Sequence, residues 1–544
     1  MRSSLLPQSL LFALYLLTGS CSSAESDTAD IRIEKKTAKE TLLCLIDTTK
    51  ELRRIDPRLY GSNIEWFGNG NGVVDDKGNL DPRFVALAKE QGMSLLRFPG
   101  GTLSDYYHWE DGIGPVERRP VRPHVTDPGK SANVFGTPEF LEFCGKANTE
   151  PLITVNAGTG SAREAAEWVR YCNSPNDSRR VRDGIPKPAN VKLWEIGNEL
   201  YLPENPGDKE IALTPEAYAD RFVEFASAMR DVDPTIQLIA IGTANSSRIP
   251  LPYPYWTKTV LQRAASEIDF IAVHNAYFPM IFQERSPGVK DVYQSLWASP
   301  EAVDRSLTAL ELLIEKYEKQ RKIGVAITEW GALFSFEPEW VDHPKTLGTA
   351  VYAARMMQVF ISHPRVQIAN YFKFTGRYFM GWVSYDAIPK VPYYVIQLFA
   401  RHFGSIAVES KLDSPTFSVD ALGVAQKESQ VPEVTCIASL NDGKDKLFVN
   451  VINRSWTTNH RVQLNVDGAR PKPAEALAWT ITSEGPTDHN GPSLPPEWHM
   501  ARKEPKSFLD SEKTISIEQR TIDPSQSVEL PRFSVTTLEL DIKP

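Results

Sequence analysis

Between about Tyr60 and Phe403 the hydrophobic positions follow two alternating patterns. Short apolar runs rich in β-branched residues occur at YGSNIEW (60), SLLRFPGG (94), PLITVNAG (151) and VKLWEIGNE (191). Four more follow at QLIAIGTA (237), DFIAVHNA (269), IGVAITEWG (323) and VQIANYFKF (366). Several are continuously apolar, as strands covered on both faces are. Segments with helical period lie between them, among them DPRFVALAKEQ, SAREAAEWVRYC and SPEAVDRSLTALELLIEKYEKQ. TPEAYADRFVEFASAMRDVDP opens with Thr-Pro-Glu, a helix-start signal. Eight strands alternating with helices predict a parallel α/β fold, and eight is the number that closes a (β/α)8 TIM barrel. An open doubly wound sheet is the alternative.

From Gly404 the helical period fades. KLFVNVINRS, HRVQLNVDG, AEALAWTITS and FSVTTLELDI alternate as strands do, and NDGKDK carries a hairpin turn signal. This predicts an antiparallel β-sandwich domain. TLLCLIDTT (41–49) is one strand too many for the barrel and is expected to join the sandwich. The expected divisions are therefore a leader at 1–24, a linker and strand at 25–57, the barrel at 58–403 and the sandwich at 404–544.

The leader follows from Arg2, the apolar run Leu5 to Leu17 and the small residues ending at Ala24, a secretory pattern too short to span a bilayer. The expected location is secreted or periplasmic. Lipid anchoring through Cys21 is the lesser reading, because Thr18 stands where a lipobox wants an aliphatic residue. No other segment is apolar enough to cross a membrane. The 544 residues carry a net charge of −9, which disfavours nucleic acid as a partner. The five cysteines are widely spaced and contain no CxxC pair, so neither a disulfide framework nor a zinc site is expected. Cys144 and Cys172 are the one conceivable pair, with buried thiols the plainer reading. Nothing in the pattern sets an oligomeric state.

Barrel strands present chemistry at their C-terminal ends. Read as one ring, those ends supply Glu65, Arg97, Asn156, Asn198 with Glu199, His274 with Asn275 and Tyr277, Glu329 with Trp330, and Lys373. A lone Glu at a loop edge is ordinarily an exposed, salt-bridged carboxylate. Two on one rim, Glu199 from the fourth strand and Glu329 from the seventh, are the equipment of glycoside hydrolysis: one acid for the leaving oxygen, one carboxylate for the anomeric carbon. Trp109, Trp330 and Trp382 are candidate platforms for sugar faces. GxSxG and HExxH are absent, and PGKS at 128–131 lacks the first glycine of a P-loop.

LRFPGGTLSDYYHWEDGIGPVERRP (96–120), LWEIGNELY (193–201) and AITEWG (326–331) resemble the motifs of the clan A retaining glycoside hydrolases, and most nearly the family 51 α-L-arabinofuranosidases. The resemblance spans the barrel, and the trailing sandwich is similar to that family's second domain. It implies Glu199 as general acid/base and Glu329 as nucleophile. It also implies Asn198 on the sugar 2-hydroxyl, Tyr277 and Arg97 positioning the nucleophile, and Glu65 at the sugar. Thr102 departs from the family, which usually has Asn after PGG. A hydroxyl keeps one hydrogen bond there but does not reproduce an amide, so mechanism follows more firmly than substrate.

The expected function is a retaining α-L-arabinofuranosidase acting on plant-type polysaccharides or their oligosaccharides, with neither cofactor nor metal. The rivals are another clan A specificity (β-xylosidase, β-glucuronidase or endoglucanase) and a carbohydrate-binding protein without catalysis.

Overall fold

In the computed structural model, residues 36–543 are described, except 124–129, 203–210, 275–276, 282–286, 319–320, 336–339, 377–379, 473–475 and 492–511. The leader, Cys21 and Asn275 lie outside the described residues.

Strand β1 (Lys36–Arg54) precedes the barrel. The barrel strands are β2 (Gly61–Asn63), β3 (Leu95–Phe98), β4 (Glu150–Val155), β5 (Leu193–Ile196), β6 (Gln237–Ile241), β7 (Phe270–Ala272), β8 (Gly324–Leu333) and β9 (Val366–Tyr371). Each pairs in parallel with the next, β9 pairs with β2, and the ring closes. The closed barrel predicted from the eight runs is the one observed, and the open sheet is not.

Among the described residues the longer helices that accompany the strands are α1 (Pro82–Gln91), α2 (Thr137–Ala147), α3 (Ala162–Asn173), α4 (Pro215–Arg230), α5 (Trp256–Ala264), α6 (Val289–Tyr317), α7 (Leu347–Ser362) and α8 (Val391–His402). Local signals set their starts: Asp81 accepts from Arg83 N–H, Ser161 from Glu164 N–H and Thr214 from Ala217 N–H. α6 begins ten residues before the Ser299-Pro300 pair that reads as its start. It carries Pro300 inside it, because Val292, Tyr293, Leu296 and Trp297 already bury an apolar face.

Inside the barrel the residues lie in layers. Leu95, Leu152, Leu193, Ile239, Ala326 and Ile368 form an apolar floor. Two residues further along β3, β4, β5, β8 and β9 stand Arg97, Thr154, Glu195, Thr328 and Asn370, all fully buried. The period of two in a strand puts this polar layer directly above the floor.

The second sheet is mostly antiparallel. Besides β1 and the two-residue Arg470–Pro471, its strands are β10 (Ile406–Leu412), β11 (Val434–Leu440), β12 (Lys446–Asn453), β13 (Thr458–Asp467), β14 (Ala476–Ile481), β15 (Glu518–Ile522), β16 (Val528–Leu530) and β17 (Ser534–Lys543). β1 lies between β10 and β13, antiparallel to the first and parallel to the second. Helices α6 and α7 dock on this sheet. Gln358 Nε2 donates to Asn450 Oδ1 at 3.0 Å, and buried Arg454 donates to Glu301 Oε1 at 2.7 Å. Burial alone would raise Glu301, but Arg355 and Arg454 hold its carboxyl down at about 2.

Cys44, Cys144, Cys172 and Cys436 are free thiols. Cys44 and Cys436 touch, with sulfurs 3.1 Å apart, a contact that two positions 392 residues apart do not advertise in sequence.

Candidate active site

Arg97 organises the site. It is wholly buried, and every nitrogen of its guanidinium is used. Nε donates to Glu195 Oε2; Nη1 donates to Asn63 Oδ1 at 3.1 Å and to Glu329 Oε1 at 2.9 Å; Nη2 donates to Asn198 Oδ1 at 2.8 Å. Burial opposes the charge on Arg97, but Glu195 and Glu329 hold it firmly protonated.

Glu329 reaches this guanidinium through a bulge. Between Ile327 and Trp330, β8 has one residue more than β9 opposite it. The extra residue lets Thr328 and Glu329 both face the barrel axis, the re-aiming that bulges provide. Glu329 Oε2 accepts from the Tyr277 hydroxyl at 2.8 Å. Burial pushes the Glu329 carboxyl up, while His274, Arg97 and the Tyr277 hydrogen bond oppose the shift. With a guanidinium on one oxygen and a phenol on the other, the pocket solvates the ionised form. Burial raises the Tyr277 phenol well above its ordinary range, so it remains a donor.

Glu199 sits at the end of β5. Gly197 (φ +76°) and Glu199 (φ +44°) both occupy the left-handed region, and the chain turns sharply there. For Glu199 this costs roughly 1–2 kcal/mol. Asp105 holds the turn: its Oδ2 accepts Asn198 N–H at 2.8 Å, and its Oδ1 accepts Ala157 and Gly158 N–H at 3.0 Å each. One buried carboxylate therefore joins the ends of β3, β4 and β5. Burial pushes Asp105 up to about 7 against the pull of these three donors.

His274 links the two candidate catalytic carboxylates. Its Nδ1 is 3.1 Å from Glu199 Oε1 and 4.0 Å from Glu329 Oε1. Its Nε2 is 2.6 Å from Thr328 Oγ1, and Thr328 Oγ1 donates to Glu195 Oε1 at 2.8 Å. A carboxylate bound to Arg97 only accepts, so the Thr328 hydroxyl gives its proton to Glu195 and accepts from His274 Nε2–H. This fixes the tautomer. Nδ1 then faces Glu199 across one shared proton. Burial lowers the basicity of His274, yet Glu329 and Glu199 raise it overall.

Asn198 is set by the same logic. Its Oδ1 faces Arg97, so its buried Nδ2 is left as a donor with no partner among the described residues. Glu65 accepts from Asn71 Nδ2 and Lys373 Nζ on Oε2. Thr102 begins a short 3₁₀ turn (Thr102–Tyr106) directly after Gly101 and is half-buried. A Cβ on Gly101 would stand 2.5 Å from Glu329 Oε1, so only glycine fits beneath that carboxylate. Glu65, Arg97, Asn198, Glu199, Tyr277 and Glu329 are thus gathered around one centre.

The tryptophans are not, and their expected role is corrected. Trp109 is buried, stacked 6.0 Å from Trp168, and donates to Glu164 O. Trp330 follows Glu329 on the strand and so faces the opposite way, against Phe360 of α7. Trp382 stacks on Tyr371 and is buried. None of the three offers a ring face to a sugar. Conversely, Glu195, Thr154, Thr328 and Asp105 carry the network without having been singled out. The available signal was Glu195 itself, a charge inside a continuous apolar run.

The α-L-arabinofuranosidase 1 domain matches residues 88–277, and the α-L-arabinofuranosidase C-terminal domain matches 328–519, together well over half of the chain. The chain belongs to the α-L-arabinofuranosidase-like glycoside hydrolases of family 51. Within that family it is similar to an intracellular exo-α-(1→5)-L-arabinofuranosidase of Acetivibrio thermocellus, 35% identical over 43% of this chain and 47% of that one. An intracellular exo-α-L-arabinofuranosidase of Bacteroides ovatus is 27% identical over 98% of this chain and 99% of its own. Across the first three curated relatives the match spans 47%, 58% and 65% of the relative's length. The crystal structure of an α-L-arabinofuranosidase from Thermotoga maritima in complex with arabinose superposes with a TM-score of 0.75, at 25% identity, over 92% of this chain and all of that one.

These relatives overturn one expectation. The secreted or periplasmic location, with Cys21 anchoring as its lesser form, is contradicted by the arabinofuranosidases of Acetivibrio thermocellus, Bacteroides ovatus and Bifidobacterium longum, each named intracellular. That expectation rested on a short apolar run behind a single arginine, a pattern of composition that no packing partner constrains. Among the described residues no helix is long and apolar enough to cross a membrane.

Proposed function

We propose that this family 51 protein is a retaining α-L-arabinofuranosidase, with Glu329 as nucleophile and Glu199 as general acid/base. The observation that carries the reading is the unequal treatment of two carboxylates around one imidazole. Glu329 has a fixed donor on each oxygen, Arg97 and Tyr277, as a nucleophile that must stay ionised and aimed requires. Glu199 shares a proton with His274 and is the more exposed of the two, with 18% of its side chain open against 8% for Glu329. Both lie within 4.0 Å of His274 Nδ1, which supports a close pair rather than one holding a water between its members.

In the first step a Glu329 oxygen attacks the anomeric carbon. The glycosidic C–O bond breaks, and the departing oxygen takes the proton held on Glu199. In the second step water attacks that carbon, gives its proton to Glu199, and Glu329 leaves. Configuration is retained. Asn198 Nδ2, without a partner among the described residues and fixed by Arg97, suits the sugar 2-hydroxyl, and Glu65 a hydroxyl further round the ring. Thr102 directly follows Gly101, the residue that lies against Glu329.

The names of the relatives support arabinose as the released sugar, with plant-type arabinose polymers and oligosaccharides as the substrate class. The test is an aryl-glycoside panel with the intact protein: α-L-arabinofuranoside, β-xyloside, β-glucoside and β-glucuronide. The arabinofuranoside should be hydrolysed with the highest kcat/KM. A higher value on any other member would overturn the sugar assignment, and no turnover on any would favour a binding protein.

A further inference from the structure

The sandwich holds a thiol pair that the sugar chemistry does not use. Cys44 on β1 donates its S–H to the sulfur of Cys436 on β11, with the two sulfurs 3.1 Å apart. Strand β10 lies between theirs in the sheet. Its ladder with β11 ends at Val408 and Ala438, and Cys436 lies just past that end. There the two sulfurs meet.

The thiols differ in their surroundings. Cys44 is fully buried. Cys436 is half-buried and lines a cleft of about 360 Å³ between the end of α7 and the sheet. Leu52, Arg355, Ser362, Glu409 and Ser410 share that lining. Hydrogen bonding follows the same division. The hydrogen bond from Cys44, with a second from Ser410, draws the Cys436 thiol below its ordinary value against the effect of burial. Cys44 is pushed up by the same hydrogen bond and by burial. In the barrel helices, burial pushes Cys144 up to about 12 and raises Cys172 as well, which makes both inert. A cysteine that serves only as a small hydrophobe needs neither a cleft nor donors aimed at its sulfur. A nucleophilic sulfur beside a protonated partner needs both.

We infer that Cys436 is a site of reversible exchange with a low-molecular-weight disulfide, RSSR, and that Cys44 resolves the adduct into a Cys44–Cys436 disulfide. In the first step the Cys436 thiolate attacks one sulfur of RSSR. The S–S bond of the reagent breaks, a Cys436–SR bond forms and RS⁻ departs. In the second step the Cys44 sulfur attacks that of Cys436. The Cys436–SR bond breaks, and the departing sulfur takes the Cys44 proton and leaves as RSH. The protein gives up two electrons, and the small disulfide takes them to become two thiols. Capping Cys436 removes the charge that holds Cys44 protonated, so the adduct promotes its own resolution. The sulfurs need to close by only about 1 Å. The bond ties the strand ahead of the barrel to a strand behind it, 392 positions on, and encloses the barrel in one covalent loop. Excess thiol reverses both steps.

The test uses the intact, folded protein, with 2-hydroxyethyl disulfide as RSSR, and its Cys44→Ser, Cys436→Ser and Cys144→Ser variants. Alkylation and peptide mass mapping of treated wild type should find Cys44 linked to Cys436 and no hydroxyethylthio group. Its Tm should rise by roughly 3–8 °C, because the loop restricts the unfolded chain. Cys44→Ser should stop at one hydroxyethylthio group on Cys436, without that rise. Cys436→Ser should gain neither the linkage nor the adduct, and Cys144→Ser should behave as wild type. Dithiothreitol should return wild type to its starting mass and Tm. Thiols that resist the reagent in the folded protein, a linkage through any other cysteine, or an adduct that persists on Cys436 of wild type would each overturn the inference.

Discussion

The Tyr277 hydroxyl donates to Glu329 Oε2 at 2.8 Å, on the side of the carboxylate opposite Arg97. Removing either donor frees the nucleophile to rotate. Tyr277→Phe should lower kcat by roughly 10²-fold with little change in KM or thermal stability, in line with lost positioning. Arg97→Ala should do the same to kcat and also destabilise the fold, by about 3–5 kcal/mol, because Glu195 and Glu329 become buried charges without a partner. Steady-state kinetics and thermal melts of both variants decide the point. Unchanged turnover in Arg97→Ala would remove Glu329 from the proposed role.

The two carboxylates should part company under azide. With an aryl leaving group that departs without acid help, Glu199→Ala forms the glycosyl-enzyme but lacks the base that activates water. Azide needs no base, so it should restore turnover and give the glycosyl azide of retained configuration. Glu329→Ala lacks the nucleophile, and azide entering its space should give the inverted product. NMR of the azides reads this directly. Swapped configurations would reverse the roles.

Asp105 holds the turn that carries Glu199 through three backbone N–H groups. Asp105→Ala leaves all three unpaired in a buried place, at a cost of roughly 1–3 kcal/mol each. The expected result is a lower melting temperature together with a drop in kcat larger than that in 1/KM, as the acid loses its position. A variant as stable and as active as wild type would show the turn stands without its anchor.

His363 makes stability depend on pH. Burial works against its charge, but Asp304 and Glu311, at 3.1 and 3.0 Å, raise it to about 9. Its folded value exceeds the ordinary 6.5, so the folded state binds the extra proton between these limits. Its contribution, on the order of 3 kcal/mol, is complete below pH 6.5 and lost as pH rises through 9. The melting temperature of wild type should fall toward that of His363→Gln across this window and run parallel to it above. A difference independent of pH would show that the imidazole does not titrate there.

How much of this was legible depended on the range of the interaction. A strand covered on both faces must be apolar along its length, and a helix must repeat its apolar face every three to four residues, so PLITVNAG or TPEAYADRFVEF declares its element locally. Eight such units admit few closures, and once closed, every strand end faces one opening. Glu199 and Glu329 could therefore be named from sequence although 130 residues separate them. Their surroundings could not. Which way Trp330 points depends on a bulge in β8, which exists only relative to the register of β9. Trp109 looks like a sugar platform until Trp168 is seen stacked on it. The pairing of Arg97 with Glu195, of Asp105 with three amides from other loops, and of Lys373 with Glu65 joins residues that chain order keeps far apart. Periodicity is a property of neighbouring positions and is written along the chain. Partnership between buried charges is decided only when distant segments exclude water from the same volume, and that is the work of the tertiary fold.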